Sequence, residues 1–359
     1  MSVGDSPVNS AASVTEDIDC ARLLEWMAKN VPGFDGPLTV DKFSGGQSNP
    51  TFRLTTPKTN YVLRRKPPGK LLKGAHAIER EFQVISALGS VGFPVPRCYG
   101  FCGDEGVIGS SFYVMELVEG RIFWDATFES VGFDERPCYF SAMNEVLAKL
   151  HQLDPAELGL SDFGKHGSYF ARQIKRWSDQ YRSDPEAGVN ADMEELVRWL
   201  PDNIPDDNET RLIHGDFRCD NMIFHPTEPK VVAVIDWELS TLGNPLGDFA
   251  NHLMMYRVPP HIVAGLLNAD IKKLNIPSEE NYVAEYCRRT GRKSIPHLNF
   301  YLTFNLFRLA AIFHGIAGRV LRGNASSDQA QERARTFPEI AELARKTMEA
   351  CRLEYPGRS

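Results

Sequence analysis

The stretch RLIHGDFRCDN, Arg211 to Asn221, followed by VVAVIDWE, Val231 to Glu238, limits what this chain can be more than any other. An Asp stands two residues after a His, an Asn follows that Asp after four intervening positions, and a second Asp closes an apolar run. That order sets one carboxylate near an attacking hydroxyl, and an amide and a carboxylate to hold Mg2+, as a phosphoryl-transfer loop requires. Such transfer asks little covalent work of a protein; the hydroxyl and the γ-phosphate must be held in line and the developing charge neutralised. Asp216 is the expected proton acceptor. Asn221 and Asp236 offer hard oxygens to a metal. IFHPTEPKVVAVID reads as two strands about a Pro-containing turn, which predicts that Asp236 returns beside Asn221. His214 is expected to support the loop by hydrogen bonding and not to act as the base. HGD alone arises by chance, but with the spaced Asn and a strand ending in Asp the signal is specific.

Upstream, two strand-like runs in LTVDKFSGGQSNPTFRLTT flank Ser44, Gly45, Gly46, Gln47, Ser48 and Asn49. Glycine lets a backbone approach a phosphate, and successive N–H groups can point at its oxygens. The same letters also make a plain hairpin turn. YVLRR, Tyr61 to Arg65, reads as a third strand ending in cations, and KPPGKLLKGAH as a loop. AIEREFQVISALGSVGF then reads as a helix with Ile78, Phe82, Ile85 and Leu88 on one stripe. A strand cation beside Glu79 or Glu81 predicts the internal ion pair that aims a phosphate-binding cation, and position in the helix favours Glu81. VIGSSFYVMELVEG, Val107 to Gly120, reads as a strand running into a connector at Glu116 to Gly120.

Helical spacing marks ARLLEWMAKNVPGF (Leu23, Leu24 and Met27 inward) and FSAMNEVLAKLHQ (Met143, Leu147 and Leu150 inward). It continues through a polar stretch from Asp162 to Leu200 anchored by Trp177, Tyr181 and Trp199, and through the remainder of the chain from His261 onward. Asp248 is expected at a helix start, capping free N–H groups. Strands crowd the first third and helices fill the rest. The expected fold class is therefore α+β: a disordered tail over 1–20, an antiparallel-sheet nucleotide-binding lobe over 21–118 and a mainly helical lobe over 119–359. A chain of 359 residues accommodates two lobes. The net charge of −7 argues against nucleic acid or an anionic membrane as partner. The apolar segment from Leu298 to Leu321 is interrupted by Asn305, Arg308, His314 and Arg319, so a buried helix is expected there and not a membrane span. Seven cysteines without a paired framework, and no basic-then-apolar leader, predict a cytoplasmic protein.

With those residues in hand, the chain resembles the aminoglycoside phosphotransferase superfamily, whose members share a bilobal protein-kinase-like fold. HGDFRCDN and IDWE look like its catalytic and metal motifs, FSGGQSN its nucleotide loop, YVLRR its cationic strand and YVMELVEG its hinge. LGNPLGDFA looks like the segment that follows the metal Asp. The resemblance implies ATP (GTP in some relatives), Mg2+ and transfer to a hydroxyl of a small molecule. By position it implies Asp216 as the base, Asn221 and Asp236 as metal ligands, and the Glu116 carbonyl and Val118 amide as adenine contacts. Arg64 falls where most kinases carry Lys, with Arg65 and Lys66 as alternative phosphate cations. SGGQSNPT, LRRKPPG, AHAIERE and FRLAAIFHGIAGRVLRG are similar to a subgroup found fused to acyl-CoA dehydrogenases. That similarity implies a hydroxyacyl-CoA or another hydroxylated metabolite as acceptor. The alternatives are an antibiotic kinase and a catalytically silent pseudokinase that binds a metabolite. A polycationic drug would call on carboxylates such as Asp202, Asp206, Asp207 and Glu209. An acyl-CoA would call on a basic loop of Arg64, Arg65, Lys66, Lys70 and Lys73. Arg308 and His314 either face the acceptor from the long helix or are satisfied polar groups within it.

Overall fold

The computed structural model describes residues 18–43, 49–67, 77–206, 209–263, 265–325 and 327–354. Two compact units divide the chain: residues through Gly120 with Val232–Glu238, and Arg121–Val231 with the chain from Leu239 onward.

In the first unit Asp19 caps helix α1 (Cys20–Asn30), accepting from the N–H groups of Ala21 and Arg22. Leu23 and Met27 turn inward as expected, whereas Leu24 stays partly exposed. β1 (Thr39–Lys42) and β2 (Thr51–Thr55) are the two predicted runs, paired antiparallel with Thr39 opposite Thr55 and Lys42 opposite Phe52. β3 (Asn60–Arg65) follows, and helix α2 (Ile78–Ser90) buries Ile78, Glu81, Val84, Ile85 and Leu88. Phe82, placed on that stripe by the periodicity, is only half-buried. β4 (Cys98–Cys102) carries two of the cysteines and was not visible as a strand, because CYGFC alternates no polarity. A short helix α3 (Glu105–Ile108) ends on Gly109 in the left-handed region, so the predicted strand begins only at β5 (Phe112–Glu116). The five strands form one antiparallel sheet in the order β1-β2-β3-β5-β4. Apolar side chains from α1, β2, β3 and β5, including Met27, Leu54, Leu63, Phe112 and Val114, build the core on one face.

The second unit is mainly helical. α4 (Arg136–Gln152) buries Met143, Leu147 and Leu150, as its periodicity requires. α5 (Tyr169–Arg182) and α6 (Ala191–Asp202) supply the anchors Trp177, Tyr181 and Trp199. Short strands β6 (Arg211–Ile213), β7 (Met222–Phe224) and β9 (Thr241–Gly243) bracket the motif stretch, and β8 (Val231–Val234) passes from Val232 on into the segment that belongs to the first unit. β7 and β8 are the two strands expected about the Pro-containing turn, which the His225 N–H closes on the Lys230 carbonyl at 2.7 Å. β6 pairs with β9, a ladder the sequence did not signal because each strand has only three residues. α7 (Pro245–Leu253), α8 (Glu279–Thr290), α9 (Leu298–Leu321) and α10 (Asp328–Glu354) complete the unit. Among the described residues, His261 to Pro277 is turns and loop, which corrects the expectation of helix from His261 onward.

α9 is long and apolar enough to cross a membrane, yet 78% of its most apolar window is buried within the protein. α5, α7 and α10 all pack on it. The Asn305 amide donates to the Gly247 and Tyr301 carbonyls, both at 2.9 Å, so this interrupting residue ties α9 to α7.

Candidate active site

β6 leads directly into the loop that carries Asp216. Gly215 has φ +84°, and a Cβ there would lie 2.8 Å from the Leu239 carbonyl oxygen. Backbone conformation and space therefore both require glycine between His214 and Asp216. His214 is fully buried, and its Nδ1 accepts from the Asp216 N–H at 3.2 Å. The imidazole thus supports the loop.

Asp248 was expected to cap its own helix. Asn244 performs that task, accepting from the N–H groups of Leu246 and Gly247. The Asp248 carboxylate reaches instead to the His214 N–H at 2.9 Å and the Gly215 N–H at 2.8 Å, with His151 Nε2 at 3.2 Å. Burial alone would raise its pKa. The hydrogen bond and charge of His151, with His214, outweigh that and hold it below the ordinary carboxylate value. Arg308 Nη2 donates to the Gly215 carbonyl at 2.6 Å, so the loop is held through its N–H groups from α7 and through its carbonyl from α9.

Asp216 remains partly exposed, its side chain at 36% accessibility. Asn221 Nδ2 donates to the Asp216 carbonyl at 2.9 Å and to its carboxylate at 3.1 Å, which leaves Asn221 Oδ1 as the acceptor end of the amide. Arg218, which the motif spacing does not single out, forks onto Asp220 and places Nε 3.9 Å from Asp216 Oδ1. Its position between the two acids in DFRCD was the available signal. Asp216 opens on a cavity of about 260 Å³ whose apolar wall includes Met254, Met255, Ile312 and Phe313. Arg308 lines this cavity. His314 does not; it is buried, with Nε2 on the Gly188 carbonyl at 2.9 Å and Nδ1 without a hydrogen-bond partner among the described residues, so it neither faces the cavity nor is fully satisfied within the helix.

The first unit holds a cluster of its own. Arg64 on β3 sets Nε 3.1 Å from Glu81 Oε2, donates through Nη2 to Asp236 at 2.7 Å and lies 3.5 Å from Glu238. Burial opposes the guanidinium charge, but Glu81, Tyr113 and Asp236 overcome it and keep Arg64 protonated. Three carboxylates share this cation, and Glu81 is the most buried of them. Desolvation, reinforced by Asp236 and Glu238 against the pull of Arg64, pushes Glu81 up to about 7. Of the two helix acids Glu81 is therefore the partner. Arg65 projects from the opposite face of β3, buried over the Phe52 ring with Nη1 on the Ile108 carbonyl at 3.3 Å. Strand alternation removes it from the candidate phosphate cations. Asp236 has φ +64°, a conformation non-glycine residues adopt rarely. Glu116 ends β5 with its N–H on the Arg97 carbonyl, and Val118 follows half-buried. Asn49 is buried, while Ser44, Gly45, Gly46, Gln47 and Ser48 lie outside the described residues, as do Lys70, Lys73 and Asp207.

Among the described residues no group of three or more His, Cys, Asp and Glu side chains forms a metal cage. Mg2+ needs none, since it is usually held by one or two protein oxygens together with phosphate oxygens and water. Asn221 Oδ1 in the second unit and the Asp236 carboxylate in the first, the latter already paired with a cation, are each an oxygen of that kind.

The chain is similar to known proteins along most of its length. Residues 39–282 match the phosphotransferase enzyme family. Acyl-CoA dehydrogenase family member 11 of Gallus gallus is 45% identical over 333 residues, covering 90% of this chain and 43% of that protein. This chain thus spans less than half the length of that relative. A solved protein of Ralstonia eutropha JMP134, described as an aminoglycoside phosphotransferase candidate, is 44% identical with a TM-score of 0.85, covering 92% of this chain and 98% of that one. Spectinomycin phosphotransferase, solved with ADP and spectinomycin, shares the fold at 14% identity and a TM-score of 0.63, over 92% of this chain and 99% of its own. With an antiparallel five-stranded sheet, a mainly helical second unit and these likenesses, the chain has a kinase-like α+β fold and belongs to the phosphotransferase enzyme family.

Proposed function

We propose that this protein transfers the γ-phosphate of ATP, with Mg2+, to a hydroxyl of a small hydroxylated metabolite, a hydroxyacyl-CoA or a compound like it. The observation that carries the reading is the Asp216 carboxylate, held by Asn221 and set on a loop pinned by Asp248, at the wall of a partly apolar cavity. In this reading Asp216 orients the acceptor hydroxyl and takes its proton, and His214 keeps the loop in place. Asn221 Oδ1 and Asp236 hold the metal, which supplies charge neutralisation at the phosphate oxygens. Arg64 meets the nucleotide phosphates and Glu81 aims it. Ser44, Gly45, Gly46, Ser48 and Asn49 wrap the phosphates with backbone N–H groups, and the Glu116 carbonyl and Val118 amide take the adenine edge. The proposed setting is the cytoplasm, in keeping with seven free thiols.

An acyl-CoA-like acceptor is supported by 45% identity to a protein of the acyl-CoA dehydrogenase family. The antibiotic-kinase alternative is disfavoured because Glu209, one of the carboxylates it would need, is engaged by Arg292 at 2.5 Å and by Arg211 at 3.6 Å. The test is ATP binding and ATP consumption over a panel of hydroxylated acceptors, for the wild type and Asp216→Asn. The variant is expected to bind ATP as the wild type does and to lose transfer by about 100-fold or more. Undiminished turnover by the variant, or a wild type that does not bind ATP with Mg2+, would refute the assignment. An aminoglycoside panel and resistance in a sensitive bacterium separate the two acceptor classes.

A further inference from the structure

The cavity beside Asp216 carries a charge pattern that its catalytic reading leaves unused. Arg333, on the second turn of α10, lines it and also lines an adjoining cavity with Trp124, His261 and Thr336; Arg218, Asp220 and Phe313 line both. The Arg333 guanidinium has no carboxylate partner among the described residues, unlike Arg218, which Asp220 holds. Two buried polar atoms of residues lining the cavity beside Asp216, Asn251 Nδ2 and Asn305 Oδ1, have no hydrogen-bond partner among the described residues. Buried amide groups are rarely left so unless a ligand satisfies them. The same lining includes Asp220, which Arg218 holds, and the apolar Met254, Ile312 and Phe313.

We infer that Arg333 determines specificity by reading an anionic group, a carboxylate or a phosphate, on an acceptor whose apolar body lies along that wall. The inference deepens the proposed phosphotransfer and rests on it only for the destination of the hydroxyl. An unpaired guanidinium over a part-apolar cavity favours an anion through charge-assisted, bidentate hydrogen bonds. It disfavours a polycation for the same reason. Arg308 plays a different part, because its bond to the Gly215 carbonyl makes it a positioning residue of the loop.

The experiment compares four ten-carbon probes on the full chain by calorimetry: decanoate, decyl phosphate, methyl decanoate and decylammonium. The wild type is expected to bind at least one anion about ten-fold or more tightly than the neutral ester, and the better of the two anions identifies the group. Arg333→Gln should abolish that preference, with unchanged melting temperature and unchanged ATP affinity, and Arg333→Lys should restore part of it. Equal binding of anion and ester, a preference that survives Arg333→Gln, tighter binding of decylammonium, or binding of none of the four would overturn the inference. A second arm follows phosphotransfer to hydroxydecanoates and to their methyl esters. Turnover of acids and esters alike would sink the role of Arg333 while leaving phosphotransfer standing. Anion binding through Arg333 without any turnover would do the reverse.

Discussion

Asp248→Asn tests how the catalytic loop is held. The native carboxylate accepts the His214 N–H through Oδ2 and the Gly215 N–H through Oδ1, fully buried, with His151 on Oδ2. An asparagine can keep one of those acceptors but must present an NH2 where the other stood. If Oδ1 stays on Gly215, His151 can adapt, because its Nδ1 meets the Tyr286 hydroxyl at 2.7 Å and the ring can exchange tautomers. The His214 N–H cannot adapt, and it is left facing a donor. One buried unsatisfied N–H costs about 1–3 kcal/mol. Turning the surviving bond from charge-assisted to neutral costs roughly 1 kcal/mol more. The expected destabilisation is therefore about 2–4 kcal/mol, measured by urea unfolding of the second unit and by faster exchange of the His214 and Gly215 amides. The pH dependence gives an independent check. Asp248 is held below its ordinary value, so its contribution is complete above the normal carboxylate range and is lost as the pH falls through its folded pKa. The gap between wild type and variant should accordingly close in acid. A variant within about 0.5 kcal/mol of the wild type at neutral pH, with both amides still protected, would show that the loop is held by something else.

Arg64→Met leaves three carboxylates around an absent cation and is expected to destabilise the first unit by about 3 kcal/mol above neutral pH. Because burial already pushes Glu81 up to about 7 and the variant removes the Arg64 cation beside it, the loss should shrink toward pH 5 and be mostly recovered by adding Glu81→Gln; a loss independent of pH would contradict this. His252 is buried, donating through Nδ1 to the Phe217 carbonyl and meeting the Tyr282 hydroxyl, and burial pushes its pKa down to about 4. Its neutral form stabilises the second unit fully above the ordinary histidine value, and that contribution, about 3 kcal/mol, is lost as the pH falls from roughly 6.5 toward 4. Hydrogen exchange across α7 should follow this slope, and His252→Gln should flatten it.

How much could be read in advance depended on the distance over which the signal is carried. α4 was legible because Met143, Leu147 and Leu150 repeat at the period of one helical face. The catalytic loop was legible because Asp216 and Asn221 are close in the chain, so spacing alone fixes which groups meet. β4 escaped notice because CYGFC has neither alternation nor branching, and the β6–β9 ladder because three-residue strands carry no period. Pairing with a neighbour makes each of them a strand.

The chain's own order of letters determined the sheet-then-helix architecture, the glycine demanded at 215 and the chemical kinds of the side chains around Asp216. Those properties follow from local backbone sterics and from hydrophobic periodicity, which act over a few residues. Tertiary structure alone decided which of two adjacent arginines meets Glu81, because strand pleating sends Arg64 and Arg65 to opposite faces and only packing selects the face. It alone turned Asp248 from a helix cap into the anchor of a distant loop, and brought Arg333 from the last helix to a cavity shared with Asp216. Partners so far apart in the chain are chosen by the packing of whole elements, which no short stretch of sequence encodes.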